Sequence, residues 1–379
     1  MNECGNNVQY ELSDDKTILN IFGNGKMYDY VKNNELLEKE IPWREHIKTI
    51  KTVVIGDGIT NIGSGAFDSC ESLESVNIPD CITTINEYTF ADCKSLKSIN
   101  IPDGVTSIGR FAFYHCFDLE SINIPESVTS IGNSAFSYCK SLKSVNIPDS
   151  VTRIGQHAFR ECYDLKEINI PKNLPLIEKY TFFSCVSLKS INIPDSVKAI
   201  GEWAFWNCCN LESIVIPDSV RIVKNNAFQD CSRATSITIS RNMINIDYAV
   251  FRLCCSAKEI NIPDSIISIG RNAFQDCCSV KSIDIPNGVT TIGNGAFYDC
   301  DALESINIPE SVTTIEEDAF SGCKSLKSIN IPNTVKEIGD CAFIGCTSLE
   351  SVDIPSTVSV GRNAFKSKYG YKIIFNKNK

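Results

Sequence analysis

The sequence predicts an α/β-type solenoid that is mostly β, because nearly everything after residue 50 repeats one unit of 23 residues. Phe recurs at this interval from Phe67 to Phe343, and a Cys follows each of these Phe three positions later. The repeated cysteines are Cys70, Cys93, Cys116, Cys139, Cys162, Cys185, Cys208, Cys231, Cys254, Cys277, Cys300, Cys323 and Cys346. A fixed period of this length is typical of units that bury their apolar faces against their neighbours.

Each repeat contains a predicted strand. In the repeat that starts at Leu326, Ile329 and Ile331 alternate with polar residues, which is the period of a strand with one buried face. Pro332 ends the strand because proline has no N–H to give to a sheet ladder. One such strand per repeat predicts a parallel sheet along the inner face of a curved superhelix.

The rest of each repeat turns the chain back toward the next strand. Val335 and Ile338 mark a second face, and Gly339 is predicted to form a corner with positive φ, which glycine tolerates. The next apolar residues are three apart, which predicts a short helical or 3₁₀ turn in Ala342-Phe343-x-x-Cys346-x-x-Leu349.

The repeat resembles the BspA-like leucine-rich repeat family, whose pattern L-x-x-I-x-I-P-x-x-V-x-x-I-G-x-x-A-F-x-x-C is matched in fourteen consecutive units over roughly residues 50 to 370. It lacks the Asn that follows the strand in commoner leucine-rich repeats and carries a Cys after the Phe. The resemblance implies a right-handed leucine-rich-repeat superhelix with a parallel concave sheet. It also implies a binding fold used largely in surface adhesion and host or matrix contact, with no catalytic residues to carry over.

The two ends of the chain depart from the repeat. Val8–Leu12 and residues 17–22 alternate like the two strands of a β-hairpin. A solenoid needs an atypical first unit to cover its open core, and Trp43 is predicted to pack on the first repeat. The predicted domains are an N-terminal cap with a hairpin at 1–49, fourteen leucine-rich repeats at 50–370, and a C-terminal strand and tail at 371–379.

Charge and hydropathy restrict the class of partner. The net charge is −10 without long runs of one sign, which argues against a nucleic-acid or anionic-membrane partner. No stretch approaches the roughly 20 apolar residues of a membrane helix, so direct membrane insertion is not predicted. We expect a monomer that binds a protein, with a glycan as the other possible ligand.

Two functions from different classes fit these observations. The family resemblance predicts an adhesion or recognition protein that is secreted or exposed at the cell surface. The alternative is a cytoplasmic scaffold for protein–protein interaction. That alternative is favoured because the chain shows no charged segment followed by an apolar one after Met1, and because it contains nineteen Cys.

The repeated cysteines are predicted to be core residues with free thiols, because a small, soft side chain at a fixed position suits packing. Cys255 and Cys278 occupy the same position in adjacent repeats outside this series, so a disulfide or a soft-metal contact between them is conceivable. Zinc would need four convergent ligands, and no second pair or His is in register, so no metal site is predicted.

The sequence does not predict an enzyme or a cofactor. The three His residues are His46, His115 and His157, and the repeat pattern aims no Ser or Cys nucleophile at them. The carboxylates fall on turns at the repeat spacing and form no isolated pair in a cleft.

One candidate surface is a polar column on the predicted concave face. It begins with six asparagines, namely Asn77, Asn100, Asn123, Asn146, Asn169 and Asn192. Stacked amides that bond from coil to coil would make this column structural. A flat polar face of this kind would also suit a glycan or an extended protein.

The second candidate surface is a group of large side chains at variable turn positions. Three successive repeats contribute Arg160, Tyr163, Phe183, Trp203 and Trp206. Trp, Tyr and Arg dominate binding hot spots, so these residues are predicted to bind a partner, although they could instead cover the turn layer by packing on one another. A smaller set, Phe111, Tyr114 and Phe117, accompanies His115.

Residues 220–257 depart from the repeat. Ser240 replaces the proline that follows the strand, and Ala234 and Ala257 replace Leu. Smaller core residues predict looser packing or altered curvature here, unless the change is simple drift of one repeat.

Overall fold

The structure is a computed structural model that describes residues 2–32, 35–36, 40–366 and 374–376. Over these residues the chain is a mostly-β parallel solenoid of about 13 turns with almost no helix. It divides into two units, Met1–Pro194 and Asp195–Lys379, which we call unit 1 and unit 2. The predicted C-terminal strand and tail lie mostly outside the described residues.

The described residues of unit 1 form short strands and a 3₁₀ helix, Arg44–His46. The strands are β1 (Glu3–Gly5), β2 (Val8–Leu12), β3 (Ile18–Gly23), β4 (Gly25–Lys26), β5 (Val31–Lys32), β6 (Glu35–Leu36), β7 (Thr52–Ile55), β8 (Ile59–Asn61), β9 (Ser75–Val76), β10 (Thr84–Ile85), β11 (Ser98–Asn100), β12 (Ser107–Ile108), β13 (Ser121–Asn123), β14 (Ser130–Ile131), β15 (Ser144–Val145), β16 (Arg153–Ile154), β17 (Glu167–Ile168) and β18 (Leu176–Ile177).

The strands of unit 1 pair mainly in parallel. Strands β1, β2 and β3 are antiparallel, and β3 pairs in parallel with β7, followed by β9. The next coils form a first sheet of β11, β13, β15 and β17 and a second sheet of β10, β12, β14 and β16. The pairs β4–β8 and β5–β6 lie near the start of the chain. Most coils of this unit therefore contribute one strand to each of two sheets.

Unit 2 has the same plan. Its strands are β19 (Ala199–Ile200), β20 (Ile214–Val215), β21 (Ile222–Val223), β22 (Ser236–Thr238), β23 (Asn245–Ile246), β24 (Glu259–Asn261), β25 (Ser268–Ile269), β26 (Ser282–Asp284), β27 (Thr291–Ile292), β28 (Ser305–Asn307), β29 (Thr314–Ile315), β30 (Ser328–Asn330), β31 (Glu337–Ile338), β32 (Ser351–Asp353), β33 (Ser359–Val360) and β34 (Ile374–Asn376). Six of them, β23, β25, β27, β29, β31 and β33, form one continuous second sheet. The first-sheet strands form the groups β20-β22-β24, β26-β28 and β30-β32-β34.

The register of the parallel pairs stacks identical positions of the repeat. Ser98 lies opposite Ser121, and Ile99 lies opposite Ile122. A side chain therefore meets the equivalent side chain of the next coil, and each position becomes a column. The repeated Phe side chains are almost completely buried, and neighbouring rings within a unit stack with centroids 4.9 to 6.0 Å apart.

Trp43 extends the Phe column at its N-terminal end, as the sequence predicts. Its indole is fully buried and stacks on Phe67 with ring centroids 5.9 Å apart. The indole N–H donates to the carbonyl of Ala66 at 3.1 Å, and Tyr10 contacts the other side of the ring. Trp43 thereby shields the first coil of the core from water.

The repeated Cys thiols line the core beside the Phe column. The thiol of Cys139 donates to the carbonyl of Phe113 in the preceding coil at 3.2 Å, and Cys162 bonds to Phe136 in the same way. Burial raises the pKa of the Cys139 thiol well above its usual range. All nineteen cysteines are free thiols.

The turn after each second-sheet strand differs from the helical turn that the sequence predicts. Two residues with positive φ flank the Ala-Phe pair of a coil, as Phe111 (φ 56°) and His115 (φ 59°) do. Their N–H groups donate to the next coil, to Asn133 and Ser137, rather than along their own turn. A right-handed helical turn cannot continue through left-handed residues, so the predicted helical or 3₁₀ turn is wrong for this segment.

The repeated glycine is also not a positive-φ corner. Gly339 does not have a left-handed φ, but a Cβ there would lie 2.4 Å from the backbone nitrogen of Glu317 in the preceding coil. At Gly339 the absence of a Cβ therefore permits close approach of two backbones. The second sheet is interrupted before β10, β18 and β23, which are followed by Asn86, Glu178 and Asp247, but it continues into β21 and β29, which are followed by Lys224 and Glu316.

Candidate interaction surface

Unit 1 carries a cluster of partly exposed aromatic and basic side chains on its turn layer, which we call the aromatic turn face. Its members are Tyr88, Phe111, Tyr114, His115, Phe117, Tyr138, Lys140, His157, Arg160, Tyr163, Tyr180 and Phe183. Six of these, Tyr88, Phe111, His115, Tyr138, His157 and Tyr180, are left-handed residues. The turn geometry directs their side chains outward from consecutive coils.

Stacking between coils holds these side chains in place. The Tyr88 and Phe111 rings stack with centroids 4.7 Å apart, and the His157 and Tyr180 rings stack at 4.6 Å. His157 lies beside Arg160 as well, and burial together with the positive charges of Arg160 and Lys179 lowers the pKa of its imidazole. His157 is therefore a neutral aromatic surface at neutral pH.

His115 connects two coils of the aromatic turn face. Its ring stacks on Tyr114 at 3.8 Å and meets the edge of Tyr138 at 4.7 Å. Its Nδ1 lies 3.1 Å from Oδ1 of Asp92, which fixes the orientation of the ring. A single face of contacting rings thus extends across the coils of Asp92, His115 and Tyr138.

The structure brings together three of the predicted partner-binding residues, Arg160, Tyr163 and Phe183. The Arg160 guanidinium lies 4.9 Å from the centroid of the Phe183 ring, and its Nη2 is 3.1 Å from Oε1 of Glu161. The Tyr163 hydroxyl donates to the other carboxylate oxygen of Glu161 at 2.6 Å. Glu161 therefore holds Arg160 and Tyr163 side by side.

Tyr138 and Lys140 join the two aromatic groups that the sequence suggests separately. The Arg160 guanidinium is 5.6 Å from the Tyr138 ring, and Lys140 Nζ is 4.5 Å from the Phe117 ring. Neither Tyr138 nor Lys140 was predicted from the sequence. Tyr138 could have been found as an aromatic residue at a turn position that most later coils fill with Asn, Asp or Gly. Only the backbone geometry shows that the residue at this position is left-handed.

Trp203 and Trp206, the two tryptophans predicted to bind a partner, belong to unit 2 and contact each other. Their ring centroids are 6.0 Å apart, and both side chains are partly exposed. Trp203 is left-handed, with φ 58°. The later left-handed positions of unit 2 are mostly small or polar, including Asn226, Asp230, Asn272 and Asp276.

The six asparagines of the polar column are exposed, and two of them are bonded to the backbone. Asn77 accepts from the N–H of Ile55 and donates to its carbonyl, both at 2.7 Å. Asn169 makes the same pair of bonds to Ile147, at 2.7 and 2.6 Å. These two amides thus complete the backbone bonding of the preceding coil.

Comparisons with known proteins agree with this geometry. The family described as BspA type Leucine rich repeat region matches six copies of its pattern, over residues 45–166, 152–277 and 244–372. The chain belongs to this BspA-type family. Comparison with curated proteins gives no match.

Solved structures of bacterial leucine-rich repeat proteins are similar to this BspA-type chain. One from Bacteroides ovatus is 27% identical, with a TM-score of 0.70, over 98% of this chain and 99% of that one. Another from Eubacterium ventriosum is 24% identical, with a TM-score of 0.55, over 90% of this chain and 93% of that one. The second likeness shows the fold alone.

The BspA-type repeat is disturbed in unit 2 between β21 and β23. Arg221 and Lys224 donate to the preceding coil at 3.0 Å, but no equivalent backbone bonds join the coils of Ile222 and Ile244 among the residues described. Ser240 replaces the usual proline, and its hydroxyl donates to the carbonyl of Val220 at 2.6 Å. The second sheet is therefore interrupted between β21 and β23, within the residues 220–257 for which looser packing or altered curvature is predicted.

An exposed strip of apolar side chains lies beside the break in the second sheet between β21 and β23. Ile222, Ile244 and Ile267 are 46%, 54% and 48% exposed, at positions that several other coils fill with Thr or Ser. A cavity of about 460 Å³ lies along the strip, lined by Arg221, Ile222, Val223, Lys224, Asn242, Ile244, Asn245 and Asp247. The strip was not predicted, because isolated isoleucines in the sequence look like ordinary core residues.

Among the residues that the structure describes, no three His, Cys, Asp or Glu side chains are grouped as a metal site requires. Within the same ranges, no helix has the length and hydropathy to cross a membrane.

The Asp68 carboxyl is expected to make the stability of unit 1 depend on pH. Burial and the nearby Asp92 carboxylate raise the pKa of Asp68 to about 6, from 3.8. The folded state binds the proton more tightly than the unfolded state, so the free energy of unfolding falls as pH rises from about 4 to 6. We expect Asp68→Asn to remove this slope and to stabilise the protein by about 1 to 2 kcal/mol at pH 7, as measured by urea unfolding at several pH values.

Asp149 provides the control of opposite sign. Hydrogen bonds from the Lys172 backbone and side chain lower the pKa of Asp149, so its stabilising contribution is lost as pH falls. Asp149→Asn should therefore weaken the protein at neutral pH. A stability curve that Asp68→Asn leaves unchanged between pH 4 and 6 would contradict the assignment.

Proposed function

We propose that this BspA-type chain is a non-enzymatic binding protein that recognises a protein partner through the aromatic turn face. The observation that carries the proposal is the placement of large aromatic residues on left-handed backbone in consecutive coils. A bulky residue in this conformation costs about 1 kcal/mol, which Asn, Asp or Gly would largely avoid. Strained positions persist where they serve a function, and these residues present partly exposed Tyr, Phe, His and Arg side chains.

The composition and rigidity of the face suit a protein partner. Tyr and Arg are enriched in hot spots because they bring large contact area together with hydrogen-bonding groups. The contacts among Arg160, Glu161 and Tyr163 already fix three side chains before binding, so less conformational entropy is lost in the complex. In unit 2, the Trp203–Trp206 pair is the matching candidate.

The finer architecture is part of the proposal. We expect each unit to coil as a right-handed superhelix with the first sheet on its concave face. The Asn column would then line that concave face, where Asn100, Asn123, Asn146 and Asn192 repeat the same polar group at each coil. A repetitive glycan or extended chain would bind there weakly at each coil and gain strength from multiple contacts.

The test compares binding with stability. Asn accepts the left-handed conformation, so Tyr138→Asn should keep the free energy of unfolding within about 1 kcal/mol while it removes a central ring of the face. We expect affinity for a bound protein, found by screening immobilised purified extracellular-matrix proteins, to fall at least about 30-fold, the equivalent of a hot-spot loss of 2 kcal/mol.

Leu253→Asn is the matched control, because Leu253 is also left-handed (φ 62°) but belongs to unit 2, whereas the aromatic turn face belongs to unit 1. It should leave binding unchanged. The combined Trp203→Ala and Trp206→Ala variant tests the second candidate. If affinity survives Tyr138→Asn and the Trp changes but is lost with Asn123→Ala and Asn146→Ala, the polar column is the binding surface and the proposal is wrong. A glycan array extends this test to the carbohydrate alternative.

Localisation at the cell surface or in the secreted fraction is supported by membership of the BspA-type family. A cytoplasmic scaffold is the second candidate, and nineteen free thiols favour it because such thiols persist in a reducing compartment. Fractionation of the source cells with an antibody against the chain distinguishes the two. Recovery from the cytoplasm alone would remove the surface role while leaving the protein-binding function open to the same affinity test.

A further inference from the structure

Cys255 and Cys278 form a pair of thiols outside the buried Cys column. They follow Cys254 and Cys277 by one residue, so they occupy the same turn position in neighbouring coils of unit 2, and both are half-buried. The two coils are bonded beside them, because Ser279 Oγ donates to the carbonyl of Cys255 at 2.7 Å. The Cys255 thiol donates to the carbonyl of Leu253 at 3.5 Å, and the Cys278 thiol donates to the carbonyl of Asp276 at 3.3 Å. The charge of an ionised Cys255 raises the pKa of the Cys278 thiol, which indicates that the two groups lie near each other.

The neighbouring column thiols have a different environment. Cys277 is completely buried, and its thiol donates to the carbonyl of Phe251 at 3.5 Å within the core. Solvent reaches Cys255 and Cys278 but not Cys277. Adjacent coils of a parallel sheet are about 5 Å apart, which lies within the Cα separation that a disulfide spans. Their positions in adjacent coils and their access to solvent therefore distinguish Cys255 and Cys278 from the buried thiols of the Cys column.

We propose that Cys255 and Cys278 are a redox-active dithiol that closes to a disulfide between coils by exchange with an oxidised low-molecular-weight disulfide. Cys255, as thiolate, attacks one sulfur of the small disulfide, forms a mixed disulfide, and releases one thiolate that takes up a proton. Cys278 then loses its proton and attacks the Cys255 sulfur, releasing the second small thiol. Two protein thiols are oxidised, and one small disulfide is reduced to two thiols.

The environment of the pair supports this order of attack. Burial raises the pKa of both thiols, that of Cys278 to about 11 with further contributions from Cys255, Asp276 and Asp301. The pKa of Cys278 is shifted upward further than that of Cys255, so Cys255 is the thiol that ionises first. Cys278 then serves as the resolving thiol. The resulting bond would fasten two coils of unit 2 to each other.

The experiment uses the whole folded protein and oxidised glutathione. After incubation, free thiols are alkylated and the peptides are mapped by mass spectrometry. We expect a Cys255–Cys278 link with the loss of two hydrogens, and a higher midpoint of thermal unfolding that dithiothreitol reverses. Cys278→Ser should trap one glutathionyl group on Cys255, whereas Cys255→Ser should slow modification of Cys278 severalfold.

Cys209 is the matched control inside the same protein. It has the equivalent turn position, but the next coil carries Ser232 there, so a glutathionyl group on Cys209 has no resolving thiol in the next coil. Modification of Cys209 without any Cys255–Cys278 link would overturn the proposal. So would a link that forms equally between Cys255 and the buried column thiols, since the paired geometry would then have no role.

Discussion

Phe136→Ala should destabilise unit 1 by about 3 to 5 kcal/mol, the range for deletion of a buried aromatic ring. The ring is completely buried and stacks between Phe113 and Phe159, with centroids 5.3 Å away on both sides. Its loss leaves a cavity that neighbouring coils cannot fill, because the hydrogen-bonded backbones fix the coil spacing. Urea unfolding by circular dichroism measures the loss.

Phe117→Ala is the control, because Phe117 is a partly exposed ring on the aromatic turn face. Its main recorded partners are Lys140 and His115, so we expect a loss of at most about 1 kcal/mol. Equal destabilisation by the two substitutions would show that the Phe column is not the main apolar core of the coils.

Gly132→Ala should destabilise unit 1 by about 1 to 3 kcal/mol, as overpacking does. The added Cβ would lie 2.6 Å from backbone atoms of Gly109 and Arg110 in the preceding coil. The coils must separate locally, which weakens the bond from the Gly132 N–H to the Ile108 carbonyl, now 2.8 Å long. Faster hydrogen exchange at the Gly132 position would accompany the loss of stability.

Gly345→Ala is the control, because it separates the effect of close contact between backbones from the effect of a left-handed backbone conformation. Gly345 has φ +79°, but the nearest atoms to an added Cβ are 3.6 Å away. Its substitution should cost about 1 kcal/mol through backbone strain alone, without disturbing a ladder bond. If Gly345→Ala is the more damaging of the two, close approach of backbones is not the reason for the repeated glycine.

The repeat made most of the fold predictable. Identical positions 23 residues apart must stack if the coils are equivalent, so the period alone predicts parallel strands, a Phe column and a Cys column. The position of Trp43 was also predictable from the repeat, because the exposed end of the Phe column must be shielded from water. The helical turn was predicted wrongly because a spacing of three fits a helix and also fits turns with left-handed residues at Phe111 and His115.

The candidate surface was only partly predictable. Arg160, Tyr163 and Phe183 stood out as large residues at variable positions, but Tyr138 and Lys140 became visible only through their distances to these neighbours. The exposed strip of Ile222, Ile244 and Ile267 also became visible only in the structure. Composition does not reveal exposure, and Ile244 differs from a core isoleucine only by the side of the coil on which it lies.

The sequence by itself determined the period, the stacking of equivalent positions and membership of the BspA-type family. Those properties follow from which residues repeat, since burial of the same apolar side chains at each coil is local and additive. The tertiary structure alone decided which turn residues are left-handed and where the second sheet is interrupted. Those properties depend on distances between backbones of neighbouring coils, and differences of a few tenths of an ångström there decide whether a Cβ fits or a ladder bond forms.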